Sequence, residues 1–352
     1  MRQKQCWTCW NITGTSRMQQ LRTNQPPGVT DYEDLAVLAE RVRRGERRAL
    51  AKALSLLEST RLSDKPRQHA LLSMLAIPSA PTMRIGITGA AGAGKSTLIE
   101  ALGLHVASNG HRVAVLATDP AAPSSGGSIL GDKLRMTALA NHPNAFIRPS
   151  SNRGRGDALD SHVRERIITC EAAGYDVVVV ETVGAGQADT AIADAVDLVI
   201  LATLPNAGDD IQALKRGVME YADIVVVTKA DLDRAAARRA VQQIRSGRAL
   251  LRNRDVDWHV RVLATSSATG EGITELWMLC QEFFAEGRRP NIEARRRQQR
   301  MRWFDESLHC ELIALLRQRA SAHFDRIANA VAEGAILPPV AAATIVNHLE
   351  TP

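Results

Sequence analysis

Two kinds of apolar pattern alternate along the chain. Short runs are apolar at nearly every position, such as Asp176-Val-Val-Val-Val180 and Ile224-Val-Val-Val227. Longer segments carry apolar residues only at every third or fourth position. The first pattern suits a strand covered on both faces in a parallel sheet, the second a helix with one buried face. Strands are predicted at Arg84–Thr88, Arg112–Ala117, Ala145–Arg148, Asp176–Val180, Leu198–Leu204, Ile224–Val227 and His259–Ala264. Helical patterns separate most of them. This order predicts an α/β fold with a doubly wound, mostly parallel sheet and a ligand at the C-terminal strand edge.

Helical periodicity also flanks the sheet region. From Asp31 to about Ile77 it is marked by Leu35, Leu38, Val42, Leu50, Leu54, Leu57, Leu71, Leu72 and Leu75, with Pro78 and Pro81 before the first strand. After about Pro290 the strands stop. Met301, Phe304, Leu308, Leu312 and Leu315 then mark one face of a long helix, and a shorter helical pattern follows Pro338-Pro339. The long stripe can pack on the chain's own sheet domain or form a dimer seam, and the pattern leaves both open. Four segments are expected: a disordered extension over 1–30, a helical segment over 31–80, the sheet domain over 81–290, and a helical arm over 291–352.

Composition narrows this only slightly. The 352 residues are 45% apolar, enough for one large core with helical additions. Net charge is +6, with basic residues near Arg41–Arg48, Arg234–Arg239 and Arg295–Arg302. All three clusters lie in helical patterns without interleaved aromatics. Solvated helix faces are therefore expected, and no nucleic-acid partner. No apolar run reaches the length of a membrane span, and no secretory segment is visible, so a cytoplasmic protein is expected. Cys170, Cys280 and Cys310 read as small core residues, whereas Cys6 and Cys9 form a lone C-x-x-C. The first thirty residues contain no acid. Besides disorder, a transit peptide or a start at Met18 would account for them.

The chemistry is concentrated in the stretch Gly89-Ala-Ala-Gly-Ala-Gly-Lys-Ser96. It lies between the strand Arg84–Thr88 and a helical pattern, which is the context of a phosphate-binding P-loop. Gly89, Ala90, Ala91, Gly92, Ala93 and Gly94 would turn their backbone N–H groups around a polyphosphate, with Thr97 on the helix that follows. Lys95 would reach the β- and γ-phosphates and Ser96 would ligate Mg²⁺.

Four further segments fit GTP or GDP as the ligand. Asp119, in Ala117-Thr-Asp119-Pro120, would sit beside the metal, unless it is a capping aspartate. Gly126-Gly-Ser-Ile-Leu-Gly-Asp132-Lys133 is a glycine-rich loop in which Asp132 is a second outer-shell candidate. Asp176-Val-Val-Val-Val-Glu181-Thr-Val-Gly184 is an apolar strand ending in an acid. Glu181 would approach Mg²⁺ through water, and the Gly184 N–H would sense the γ-phosphate. Val225-Val-Val-Thr228-Lys229-Ala230-Asp231 resembles the guanine motif N-K-x-D with Thr in place of Asn. Asp231 would accept from N1–H and N2–H₂ of guanine, bonds worth about 1.5–3 kcal/mol each. Lys229 would stack its stem on the base, while Ser267 and Ala268 supply backbone contacts. Ala185 stands where Ras-like enzymes carry a water-positioning Gln, and Gln187 is offset. No arginine finger is assignable. Slow intrinsic hydrolysis, accelerated by a partner, is the expectation.

Together these residues resemble the MeaB/ArgK-type GTPases, chaperones of adenosylcobalamin-dependent acyl-CoA mutases. Older descriptions call such proteins lysine/arginine/ornithine transport ATPases. The matching phrases are Gly86-Ile-Thr-Gly with Gly-Lys-Ser-Thr97, Thr118-Asp-Pro120, Gly126 to Lys133, Glu181-Thr-Val-Gly-Ala-Gly-Gln187 and Gly208-Asp-Asp-Ile-Gln-Ala-Leu-Lys-Arg-Gly217. The resemblance implies a homodimer through the C-terminal arm, and Asp119, Asp132 and Glu181 around Mg²⁺. It also implies a client-sensing loop near Gly208–Lys215, with Lys215 a candidate catalytic cation or else a solvated lysine. The implied task is to gate cofactor loading and protection of a mutase, chiefly methylmalonyl-CoA mutase. The chain departs from the family pattern at Arg148-Pro-Ser-Ser-Asn-Arg-Gly-Arg-Gly-Asp157, at Ala121 and Ala122, and at Thr228. An isobutyryl- or 2-hydroxyisobutyryl-type client therefore stays open. The competing readings are a metal-insertion GTPase, a transport-associated ATPase or kinase, and a nucleotide-dependent scaffold.

Overall fold

The structure is a computed structural model that describes residues 29–75, 82–120, 136–152, 162–182, 187–205, 216–248, 254–255, 257–319 and 321–350. Three helices, α1 (Val29–Arg43), α2 (Arg47–Leu57) and α3 (Lys65–Met74), precede the sheet. Strands and helices then alternate: β1 (Met83–Gly89), α4 (Lys95–Ser108), β2 (Val113–Pro120), α5 (Thr137–Ala140), β3 (Ala145–Asn152), α6 (Val163–Ala172), β4 (Val177–Glu181), β5 (Leu198–Thr203), α7 (Arg216–Tyr221), β6 (Ile224–Val227), α8 (Arg234–Arg248), β7 (Arg261–Ala264) and α9 (Ile273–Phe283).

The seven strands lie in the order β3-β2-β4-β1-β5-β6-β7. Every described pairing is parallel, in keeping with the doubly wound, mostly parallel sheet that was expected. Each predicted strand is present. β2 and β3 outrun their apolar stretches because their ladder continues to Pro120↔Asn152. Backbone hydrogen bonding carries a strand past the point where its side chains stop being apolar. β1 lies between β4 and β5, where the strand order reverses. A crevice opens at such a point, beyond the C-terminal strand ends.

The all-apolar strands have a simple cause. Alternate residues feed different cores on the two faces. Val177 and Val179 join Ile85, Ile87, Val113, Val115, Leu198 and Ile200 on one side, with Leu98, Leu102, Leu276 and Phe283 from α4 and α9. Val178 and Val180 join Ala114, Leu116 and Val199 on the other, with Leu35, Leu50, Leu54, Leu71 and Ile167. The N-terminal helices thus share a core with the sheet. Arg166 is 1% exposed within this layer. Its Nη1 lies 3.6 Å from Glu58 Oε1, and Arg148 Nη2 also donates to Glu58. One carboxylate at the end of α2 thus faces two guanidinium groups, giving buried Arg166 the opposite charge that a buried ion needs.

The described residues fall into two compact units, one ending at Glu293 and the other beginning at Ala294. The second contains most of α10 (Arg289–Arg319), then α11 (Ser321–Ala332) and α12 (Pro338–Glu350). α11 packs on α12. The stripe Met301, Phe304, Leu308, Leu312 and Leu315 is 41–58% exposed. Cys310, expected in a core, is exposed, unlike Cys170 and Cys280. Its helical spacing was compatible with burial, but spacing fixes only the face a residue occupies, and here that face is exposed. No helix among the described residues is long and apolar enough to cross a membrane.

Candidate nucleotide-binding site

The loop between β1 and α4 lies at the reversal point, and its backbone is shaped by glycine. Gly89 has φ +143°, and a Cβ there would lie 2.1 Å from the Ala202 carbonyl oxygen of β5. Only a residue without a side chain lets the loop leave β1 against its neighbour strand. Gly92 has φ +79°, and a Cβ there would meet nothing within 4 Å. Gly92 and Ala91 are exposed, whereas Ala93 is buried. The Ala93 N–H donates to Ala90 O at 3.2 Å, closing the turn. α4 then opens at Lys95 with no acid in its first turn. A helix N-terminus left free of carboxylates suits an anion.

Two lysines hold the loop carbonyls. Lys95 is 7% exposed, and its Nζ donates to Gly89 O at 2.9 Å and Ala90 O at 3.1 Å. Lys229 Nζ donates to Gly92 O at 3.0 Å. Lys229 has φ +53°, a left-handed conformation that non-glycine residues seldom adopt. Such strain is held where the surroundings fix it. Here the Ala230 N–H donates to Thr265 O at 3.0 Å, and the Leu232 N–H to Lys229 O at 3.2 Å. The Thr265 N–H donates to Val227 O at 2.8 Å. The loops after β6 and β7 are zipped together, so exposed Asp231 shares one edge with half-exposed Ser267 and exposed Ala268.

At the head of α4, Ser96 Oγ donates to Glu181 Oε1 at 2.9 Å. Strand order explains the meeting, because β4 lies beside β1 and Ile87 pairs with Glu181. Both donors are hard oxygens. Mg²⁺ takes hard oxygen ligands, few of them from protein, and keeps several of its waters, so Ser96 could ligate it directly while Glu181 reaches it through one of those waters. The donor set therefore fits that ion. Among the described residues no group of three His, Cys, Asp or Glu could hold a metal. Asp119 lies near the end of β2, paired with Ser151, but its side chain is outside the description. Asp132, Gly184 and Lys215 lie outside the described residues.

Sequence reasoning singled out Thr228 but missed the other threonines beneath this edge, Thr88, Thr182 and Thr203. Thr182 Oγ1 donates to Thr88 Oγ1 at 2.9 Å, directly behind Glu181. Thr228 Oγ1 reaches Ala93 O at 2.7 Å and Thr203 O at 3.1 Å. The signal was present: Thr88, Thr182, Thr203 and Thr228 all stand at or just beyond the C-terminal ends of otherwise apolar strands.

With loop, acid and zipped base edge in place, residues 50–321 match the family described as "Methylmalonyl Co-A mutase-associated GTPase MeaB". The chain belongs to the MeaB family of GTPases. It is 46% identical over 278 residues to a probable GTPase of Mycobacterium tuberculosis, covering 78% of this chain and 82% of that one. It is 42% identical over 306 residues to GTPase ArgK of Escherichia coli, covering 83% and 89%. A crystal structure described as a LAO/AO transport system kinase superposes with a TM-score of 0.67 at 31% identity, covering 91% of this chain and 98% of that one. As a MeaB-family member the chain is a P-loop GTPase, and its ligand class is the guanine nucleotide.

Proposed function

We propose that this MeaB-family GTPase couples GTP hydrolysis to adenosylcobalamin loading and protection of an acyl-CoA mutase, with methylmalonyl-CoA mutase the first candidate. The family description supports the client class. The contact that carries the chemical part is the 2.9 Å approach of Ser96 Oγ to Glu181 Oε1 beside the glycine loop. Binding exchanges the loop carbonyls of Gly89 and Ala90 for phosphate oxygens at Lys95 Nζ, so the buried ammonium keeps acceptors throughout. Loop N–H groups and the head of α4 face the negative charge. Ser96 and Glu181, with Asp119 and Asp132 as further candidates, would hold Mg²⁺, which neutralises charge on the β- and γ-phosphates.

Asp231 selects guanine by accepting from its N1–H and N2–H₂, donors that adenine does not offer there. The Gly184 N–H senses the γ-phosphate, and Lys215 is a candidate partner-organised cation. With Ala185 where a water-positioning Gln would stand, turnover is slow until the client orders the loops. The exposed stripe on α10 is the seam of a homodimer, and the protein works in the cytoplasm.

The test combines calorimetry with single-turnover kinetics. GTP is expected to bind at least tenfold tighter than ATP. Hydrolysis should rise on adding the mutase, and Lys95→Ala should abolish both hydrolysis and mutase protection. Tighter ATP binding would favour the transport-kinase reading. Equal turnover with and without the mutase would remove the client.

A further inference from the structure

The Thr228 hydroxyl has one proton and two carbonyl groups within reach. Its Oγ1 lies 2.7 Å from Ala93 O in the phosphate loop and 3.1 Å from Thr203 O at the end of β5. The residue is 2% exposed. Thr203 O already accepts from the Thr228 backbone N–H at 2.8 Å. A hydroxyl donates a single hydrogen bond. The shorter distance, and the carbonyl not already served by that N–H, assign the proton to Ala93.

This matters for how the purine is read. The N7 edge of guanine offers only an acceptor. A threonine whose proton is committed to a carbonyl has nothing to donate there. An asparagine carries two amide protons and can serve a loop carbonyl and a purine nitrogen together. The next residue is tied to the same loop, since Lys229 Nζ donates one of its three protons to Gly92 O at 3.0 Å. Two consecutive residues of the base motif are thus tied to consecutive carbonyls of the phosphate loop.

We propose that Thr228 is a positioning residue that pins the phosphate loop to the sheet, and that this chain selects guanine without using N7. The proposal rests on the guanine reading above and deepens it. Recognition then falls on the N1 and N2 edge at Asp231, and Thr228 contributes to affinity through the phosphates.

The experiment measures equilibrium binding of GTP, 7-deaza-GTP, ATP and inorganic triphosphate to the full chain with Mg²⁺. GTP and 7-deaza-GTP should agree within about threefold, whereas one lost neutral hydrogen bond can cost up to about tenfold. Thr228→Val should weaken GTP and the base-free triphosphate by the same factor, about two- to tenfold. Thr228→Ser, which keeps the hydroxyl, should restore both. A loss greater than threefold with 7-deaza-GTP overturns the proposal. So does a Thr228→Val effect confined to GTP. Should Thr228→Val fail to fold, the analogue comparison on the unaltered chain decides alone. Normal triphosphate binding with GTP no tighter than ATP would remove the guanine reading itself, and this proposal with it.

Discussion

Gly89 and Gly92 sit three residues apart in one loop and differ in what a methyl group would meet. At Gly89 it would lie 2.1 Å from the Ala202 carbonyl oxygen, and at Gly92 it would meet open space. Gly89→Ala should therefore destabilise by about 2–5 kcal/mol through overpacking and backbone strain. Gly92→Ala carries only the left-handed penalty of about 1–2 kcal/mol. Urea unfolding of the two variants checks this, and equal losses would contradict the close approach of β1 and β5. Lys229 tests the same physics in reverse. It occupies φ +53°, so Lys229→Gly should unfold at no lower urea concentration than the parent while binding GTP more weakly. The cysteines make a third residue-level contrast. Cys310 is exposed while Cys170 and Cys280 are buried. A thiol reagent should modify Cys310 in the folded chain and reach the other two only on unfolding.

Elements behave as the cores dictate. Burial is the main cause that pushes the thiols of Cys170 on α6 and Cys280 on α9 up to about 12, against an ordinary value of about 8.5. Below about pH 8.5 both states keep their protons, and these groups add no pH dependence. Above it the unfolded chain releases protons that the fold retains. Stability should fall as pH rises towards about 12, by up to about 1.4 kcal/mol per unit for each thiol. Comparing urea midpoints at pH 8 and pH 10 measures the fall, and replacing both cysteines by alanine should flatten it. The N-terminal helices give a second element-scale expectation. Leu54 of α2 is fully buried in the core that also contains Val178 and Val180 of β4. Leu54→Ala should cost about 2–5 kcal/mol in a single cooperative unfolding transition. A separate early transition for α1–α3 would show that they do not share the sheet's core.

At the scale of the whole molecule, the arm and the nucleotide site are separate problems. The α10 stripe is exposed along Met301, Phe304, Leu308, Leu312 and Leu315. If it is a dimer seam, Leu308→Glu with Leu312→Glu should turn a dimer into a monomer in light scattering, while GTP binding stays within about twofold. A monomer before substitution would remove the seam. The sequence by itself determined the strands, the phosphate loop and the family phrases. Each is a local matter: a run of valines buried on both faces, or a fixed spacing of glycine and lysine, is complete within a few residues. It did not determine the fate of Cys310, because helical spacing shows which residues share a face and not what covers that face. It put Ser96 and Glu181 around one metal but showed neither their direct contact nor that Thr228 serves Ala93, since these partners lie 85 and 135 residues apart. Only the order in which parallel strands assemble brings such distant groups within hydrogen-bond reach, and that order is a property of the closed sheet as a whole.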